Sequence, residues 1–447
     1  MLLAMSVGER DRDGWRGLVW ELAAFARPSA SEGERRAAEL IAARLRKRGC
    51  EATVERELAH GGYWHPIALA NAIALGASAL AARGGRTRRG LAALAAGTAA
   101  AALWDDLGHG RRWFRRALLP RRATWNVLAQ AGDRDGERTV AFVAHHDAAH
   151  SGLVFHPALG RLGPRLLRER HERSSHTLPI LRAVWLGPAA ICAGSLLGAR
   201  APLPAGRRAT LPAGHRATLP AGRALLGAGA RAALALGRAF ALGTIAAMLD
   251  VSLREVVPGA NDNLAAVGAL AALAERLDAR GAAGVRVLLI STGSEESFSE
   301  GMQALVERHR DELDPASTEF VCLECLGGST LIVLEGEGML RMRDYPREQR
   351  ESLARAAEGA GVAIARGLRT VGATDALIAL RAGYRAVTLA SVEATKLPLN
   401  YHWPSDVPEH LHWDTVERAI AVCEAYVRNR AAAPAATAAP ASTPPAS

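Results

Sequence analysis

Short runs rich in Val, Ile, Leu and Thr alternate with helical stretches, and this alternation restricts the fold more than any other feature. Runs at 51–58, 124–131, 138–146, 285–292, 318–326, 330–336 and 385–391 read as strands. Helices are expected over 14–27, 27–49, 263–281, 299–313, 346–361 and 413–430. The second of these has a Ser-rich start, an acidic first turn, late basic residues and a closing Gly49, the usual start and stop signals. Strands alternating with helices predict an α/β fold, a three-layer sandwich around a mixed, mostly parallel sheet.

Two apolar insertions break that pattern. The first, 60–122, holds "PIALANAIALGASALAA" and "LAALAAGTAAAALW" around a basic connector, "RGGRTRRG". The second, 153–255, holds "AVWLGPAAICAGSLLGA" and "ALLGAGARAALALGRAFALGTIAAML". Its Arg-rich linker repeats LPAG at 203–206, 211–214 and 219–222. The expected organisation is therefore a catalytic domain in three pieces (1–59, 123–152 and 256–430), the two helical insertions, and a disordered Ala/Pro tail over 431–447. A membrane span needs about 20 apolar residues, with 17 as a lower limit. Two of the four segments reach that limit, one is shorter, and the longest must tolerate Arg231 and Arg238. Each of those costs about 2.5–3.5 kcal/mol at mid-membrane, less if it snorkels. Tyr63, Trp64 and Trp104 would lie at one interface. The expectation is membrane association through apolar hairpins; Ala-rich helices packed as a soluble cap are the alternative. Basic residues in 111–122 and 161–173 lean toward a catalytic domain on the cytoplasmic side. The start "MLLAMSVGERDRDGW" is too short and too quickly acidic to read as a secretory signal.

Composition narrows the partners. The chain has 447 residues, 49% of them hydrophobic, so a sizeable core is possible and global disorder is excluded. The net charge of +10 is carried almost wholly by Arg; Lys47 and Lys396 are the lysines. The Arg clusters flank apolar segments without interleaved aromatics, which favours a lipid bilayer over nucleic acid. Five scattered cysteines, Cys322 and Cys325 among them, form no disulfide framework and no plausible structural zinc site. Oligomeric state is not legible.

Chemistry gathers where strands end. "AFVAHHDAAHSG" puts His145, His146, Asp147 and His150 at the end of an apolar run. "VPGANDNLAAVG" puts Asp262 in a turn before a helix, and "LISTGSEES" puts Glu295 and Glu296 just past a buried strand. "FVCLECLGG" ends on Glu324, and "LNYHWPSDVPEHL" carries Tyr401 and His402 in a loop. Taken singly, each has a structural explanation: an Asp at a helix entry is usually a cap, and adjacent Glu residues are often solvated. Glu324 is more informative, because a carboxylate in an apolar strand needs a cation or hydrogen bonds. Donors that each follow an element of one sheet point to a shared metal cleft at its carboxyl edge.

This order resembles the M28 family of zinc aminopeptidases over about 15–58, 122–150 and 256–430, excluding both insertions. "AHHDAAHSG", "GANDNLAAVGAL", "GSEES", "LECLGG" and "YHWPSDVPEHL" carry the likeness. It implies a zinc aminopeptidase/phosphorylase-like fold and two zinc ions. His145 and Glu324 would hold one, Glu296 and His402 the other, with Asp262 bridging. Asp147 would orient His145, Glu295 would be the general base acting on a metal-activated water, and Tyr401 could donate to the oxyanion. Two departures stand out: Glu324 where the family usually has Asp, and "ATDALIAL", which keeps Thr374 and Asp375 but lacks a following His. The implied function is a membrane-associated zinc exopeptidase that removes N-terminal residues from peptides. The alternatives are a glutaminyl-cyclase-like acyltransferase with one zinc on Asp262, Glu296 and His402, and a non-catalytic scaffold.

Overall fold

The computed structural model describes residues 14–200, 221–277 and 282–432. The chain opens with helices α1 (Trp15–Ala23) and α2 (Glu32–Lys47), then strand β1 (Glu51–Ala59). The first insertion forms α3 (Trp64–Ala82), α4 (Arg86–Leu107) and a short α5 (Trp113–Leu118). Strands β2 (Arg122–Gly132) and β3 (Arg138–His145) follow. The second insertion contributes α6 (Pro157–Leu166), α7 (Arg168–Arg173), α8 (Ile180–Arg200) and α9 (Ala221–Leu253). Next come α10 (Ala265–Arg276), β4 (Val285–Thr292), α11 (Glu300–Arg308), β5 (Thr318–Glu324), β6 (Thr330–Val333), β7 (Gly336–Glu337) and β8 (Arg343–Asp344). The chain ends with α12 (Arg347–Gly359), β9 (Arg369–Thr370), α13 (Asp375–Arg381), β10 (Arg385–Val392) and α14 (Trp413–Ala432).

Seven strands form one mixed sheet in the order β1-β2-β4-β3-β5-β10-β6. The four central strands, β4, β3, β5 and β10, run parallel, while β1, β2 and β6 pair antiparallel at the edges. This is the expected α/β architecture with its helical insertions. Helices α10 and α14 pack together on the sheet, and α11 and α13 form a separate pair on it. The central strands are buried along almost their whole length, as strands covered on both faces are. Phe142, Leu289, Ile290, Phe320 and Val321 fill that core.

The insertions pack on each other as a second body. Helix α3 contacts α4, α4 contacts α8, α8 contacts α9, and α9 closes the ring on α3. Its interior is built from small residues: Ala70, Ala74, Ala96 and Ala99 are buried, with Ile67, Leu103 and Ile191 among them. A Cβ on Gly187 would lie 2.9 Å from the Ala241 nitrogen, so α8 and α9 meet at backbone distance. Leu94, Leu225, Leu236 and Leu242 face outward and are exposed. Small residues thus line the helix contacts while these leucines face outward. Among the described residues three helices, Trp64–Ala82, Ile180–Arg200 and Leu225–Leu253, are long and apolar enough, by length and composition, to cross a membrane. Arg238 turns inward, its Nε donating to Ser78 Oγ at 3.0 Å.

Several expectations shift. The run 330–336 splits into β6 and β7, and the helix expected over 299–313 stops at Arg308. Tyr63 stacks on Phe298 at 4.6 Å and Trp64 sits edge-on to His150 at 4.8 Å, so these rings are tied to the α/β body rather than free as an interface belt. Trp104 packs on Trp185 and stays partly exposed. The tail expected to be disordered is helical at residues 431–432; the rest of it, and nearly all of the LPAG linker, lie outside the described residues. All five cysteines are free.

Candidate metal centre

The carboxyl ends of three adjacent parallel strands converge here. β3 ends on His145, β4 runs into the turn that carries Glu295 and Glu296, and β5 ends on Glu324. The turn 260–264 brings Asp262 from the α10 side, and the loop after β10 brings His402. Ser294, Cys325 and His402 take left-handed backbone conformations within these turns. Non-glycine residues rarely adopt that region, and such residues concentrate at functional sites. Gly259, with φ of 61°, is required: a Cβ there would meet Asp262 O at 2.5 Å.

All five expected ligands meet, in two donor groups that share Asp262. His145, Asp262 and Glu324 form one, and Asp262, Glu296 and His402 the other, each with ligand atoms within 4.8 Å of one another. The sharing uses both carboxylate oxygens. Asp262 Oδ1 lies 3.1 Å from His145 Nε2, and Oδ2 lies 3.3 Å from His402 Nε2. Glu324 Oε1 is 3.6 Å from His145 Nε2, and Glu296 Oε2 is 3.2 Å from His402 Nε2. The extra methylene of Glu324 is accommodated, since its other oxygen accepts from Asn263 Nδ2 at 3.3 Å. Glu295 belongs to neither group but approaches His145 Nε2 at 4.0 Å. The Tyr401 ring stacks on His402 with centroids 3.9 Å apart and keeps 36% of its surface exposed. His146 and His150 stand apart from both groups: His146 Nδ1 pairs with Ser291 Oγ and His150 Nδ1 with Arg254 O.

The donor set fits zinc. Imidazole nitrogens and carboxylate oxygens are its ordinary non-thiolate ligands. Glu296 Oε1 is buried without a hydrogen-bond partner, a costly state that a cation relieves. Burial pushes Glu324 and Glu296 above the usual carboxylate range. Burial opposes ionisation of Asp262 too, but the bonds to His145 and His402 hold it low. Glu295 is pushed well up, by burial first and then by Asp375, Glu324 and Glu296, against the pull of His145.

A buried frame holds these groups. Asp147 Oδ1 lies 3.4 Å from His145 Nδ1. Asp147 also accepts from the backbone nitrogens of Glu295 at 3.0 Å and Glu296 at 3.1 Å, and from Ser29 Oγ at 2.6 Å. One carboxylate thus ties the β3 end to the Glu pair. Arg27, fully buried, donates to the carbonyls of His146 (2.7 Å), Pro258 (2.6 Å) and Gly259 (3.0 Å), linking the His145 strand end to the Asp262 turn. Asp406 accepts from the nitrogens of Asn261 and Asp262 at 2.7 and 3.1 Å. Glu34 accepts from Thr124 Oγ1, Trp125 N and Ser294 N, and burial raises it to about 8. Asp375 accepts from Thr292 Oγ1, and burial raises it to about 6.

Sequence reasoning missed the roles of Arg27, Glu34 and Asp406. Asp406 lay within the quoted loop motif, and Glu34 had a signal only as half of a capping box with Ser31. Also missed was the clamp from the first insertion. Arg115, fully buried on α5, donates to Ser297 O at 2.6 Å, and Arg112 donates to Phe298 O. Both lie beside Asp106 of α4 and Glu300, whose carboxylate also pairs with His60 at 2.6 Å. The apolar insertion therefore grips the turn that carries Glu295 and Glu296.

Comparison with known proteins gives a family match over part of the chain and a likeness of fold. Residues 245–427 match the model of peptidase family M28. That segment carries the M28 pattern. It contains every expected ligand except His145, which lies upstream of the long second insertion. Among solved structures, the chain is similar to a leucine aminopeptidase precursor from Bacteroides thetaiotaomicron. The identity is 12% and the TM-score 0.50, over 94% of this chain and 97% of that one. It is equally similar to a glutaminyl cyclase from the same organism, bound to N-acetylhistamine, at 12% identity and TM-score 0.50 over 94% and 98% of the two chains. At these identities the likeness is one of fold. No curated protein matches the chain significantly.

Proposed function

We propose that this protein is a membrane-associated, zinc-dependent exopeptidase of the M28 type that hydrolyses N-terminal peptide bonds. The observation that carries the reading is the pair of donor groups sharing Asp262, with Glu295 beside His145 and in neither group. Zinc bound by these residues supplies a Lewis acid that acidifies water and polarises a carbonyl. Glu295 takes a proton from the attacking water as oxygen bonds to the carbonyl carbon, and returns it to the leaving amine as the C–N bond breaks. Tyr401 donates its hydroxyl to the carbonyl oxygen as that atom gains charge. Asp147 keeps the His145 ring in register and, through two backbone bonds, aims Glu295. N-terminal specificity is carried by the family likeness. His145 and Glu324 speak against the single-zinc cyclase reading, which needs neither. Membrane association is supported by three helices of spanning length and an outward-facing leucine surface.

The test is hydrolysis of an aminoacyl anilide by the purified chain. Glu295→Gln is expected to lose at least ~100-fold in kcat, the low end of general-base effects, with its zinc content unchanged. Wild-type turnover in that variant would remove Glu295 from the mechanism, and cyclisation of an N-terminal Gln peptide in place of hydrolysis would favour the acyltransferase.

A further inference from the structure

Between the metal centre and α8 the chain forms a strap, residues 153–179, that none of the chemistry above uses. One end is hydrogen-bonded to the last turn of α9, and the other runs directly into α8, whose own first turn is bonded to the loop after β7. Leu153 N donates to Asp250 Oδ2 of α9 at 2.5 Å, and at the far end Arg182, in the first turn of α8, donates to Met339 O at 3.2 Å. The strap therefore runs along the level where the bundle meets the catalytic domain.

Its middle is amphipathic with the apolar face uncovered. Leu159, Leu162 and Leu166 recur on one side of α6 and are 48%, 45% and 75% exposed. Arg161 and Arg165 flank that face, and Arg168, Arg170 and Arg173 follow in α7. Arg168 pairs with Glu172 and Arg173 with Glu169. Among the described residues no ion pair engages Arg161, Arg165 or Arg170. An exposed leucine row bordered by unpaired arginines, beside helices of spanning length, is what a helix lying in an anionic lipid interface requires.

The strap is also a wall of the metal centre. The Phe155 ring lies edge-on to His402 at 4.5 Å and to Tyr401 at 5.8 Å. Lys396, in the loop leading to Tyr401, donates to the carbonyls of His171 and Ser174, and His171 Nε2 pairs with Ala394 O at 3.1 Å. Anything that fixes α6 and α7 therefore fixes the loop that holds His402.

We propose that residues 153–179 dock on anionic lipid headgroups through Leu159, Leu162, Leu166, Arg161, Arg165 and Arg170, and so hold the Tyr401–His402 loop. This rests on the membrane association proposed above. The experiment uses the full chain in nanodiscs of phosphatidylcholine alone or with phosphatidylglycerol, with amide hydrogen exchange over 157–173 as a readout independent of turnover. Exchange is expected to slow on the order of tenfold or more with the anionic lipid, and the slowing should vanish at 1 M salt and in R161Q/R165Q/R170Q. Anilide hydrolysis should rise with the same lipid in wild type only. Identical exchange in both discs overturns the proposal and leaves the peptidase reading standing. Equal slowing by soluble polyglutamate in zwitterionic discs overturns it too, assigning the strip to acidic polypeptide. A chain that is soluble without detergent sinks the membrane reading and this inference together, whatever its hydrolytic activity.

Discussion

Asp147 accepts three hydrogen bonds from groups on two other segments and faces the His145 ring on its own, yet it belongs to neither donor group. It connects Ser29, the His145 ring and the nitrogens of Glu295 and Glu296. Asp147→Asn would present an amide where two backbone N–H groups need acceptors. Zinc affinity is expected to fall about 10–100-fold, measured by competition with a chelator; an unchanged affinity would deny Asp147 its orienting part. Glu300 gives a test in pH. Burial opposes its ionisation, but His60, Arg115 and Arg112 hold it down to about 2, below its ordinary value. A depressed carboxylate contributes stability above its unfolded pKa, which is lost as pH falls from about 4.5 toward 2. Glu300→Gln should lower the unfolding temperature at neutral pH and flatten the acid-side loss in that window. A variant with the wild-type slope there would show that the network does not hold Glu300 ionised.

At the level of elements, the unexpected feature is how the apolar insertion reaches the chemistry. Helix α5 exists to carry Arg115 into the 295–300 turn, where its fork serves Ser297 O, Asp106 and Glu300. Lysine keeps the charge but loses the planar fork. Arg115→Lys is therefore expected to lower kcat several-fold with KM near wild type and a smaller loss of zinc, because the turn aims Glu295 and supplies only Glu296 of the five donors. Equal effects on kcat and zinc content would mean a general loss of folding. The strands and helices of the α/β part were legible because their apolar periods match their geometry: β3, β4 and β5 are near-continuous buried runs, and α2 announces both ends. The non-helical turn that presents Asp262 and the left-handed turns at Ser294 and His402 carry no periodic signal, so sequence located the residues without their conformations.

On the scale of the whole molecule, the order of donors along the chain was readable because four of the five follow strands of one sheet, Asp262 opens a helix packed on it, and sheet order brings them to one edge. The clamp by Arg115, the link made by Arg27 and the docking of the strap were not readable. Their partners lie far away in sequence, and a buried Arg looks no different from the many surface Arg of this basic chain. The ring closure of α3, α4, α8 and α9 was hidden for the same reason: each hairpin was visible, but not their packing. The split α/β body tolerates the long insertion between His145 and Asp262 because the ends of that insertion stay together. Ser151 N bonds to Glu255 O and Val257 N to Ala149 O, both at 2.9 Å, so loop closure is met by pairing at the neck.

The central claim is that one carboxylate, Asp262, serves two cations. Metal content of the purified full chain, measured for wild type, His145→Ala, His402→Ala and Asp262→Ala in the same buffer, tests it most directly. The account predicts about two zinc per wild-type chain, about one in each histidine variant, and close to none in Asp262→Ala. One zinc in the wild type, or a full complement retained without Asp262, would contradict it.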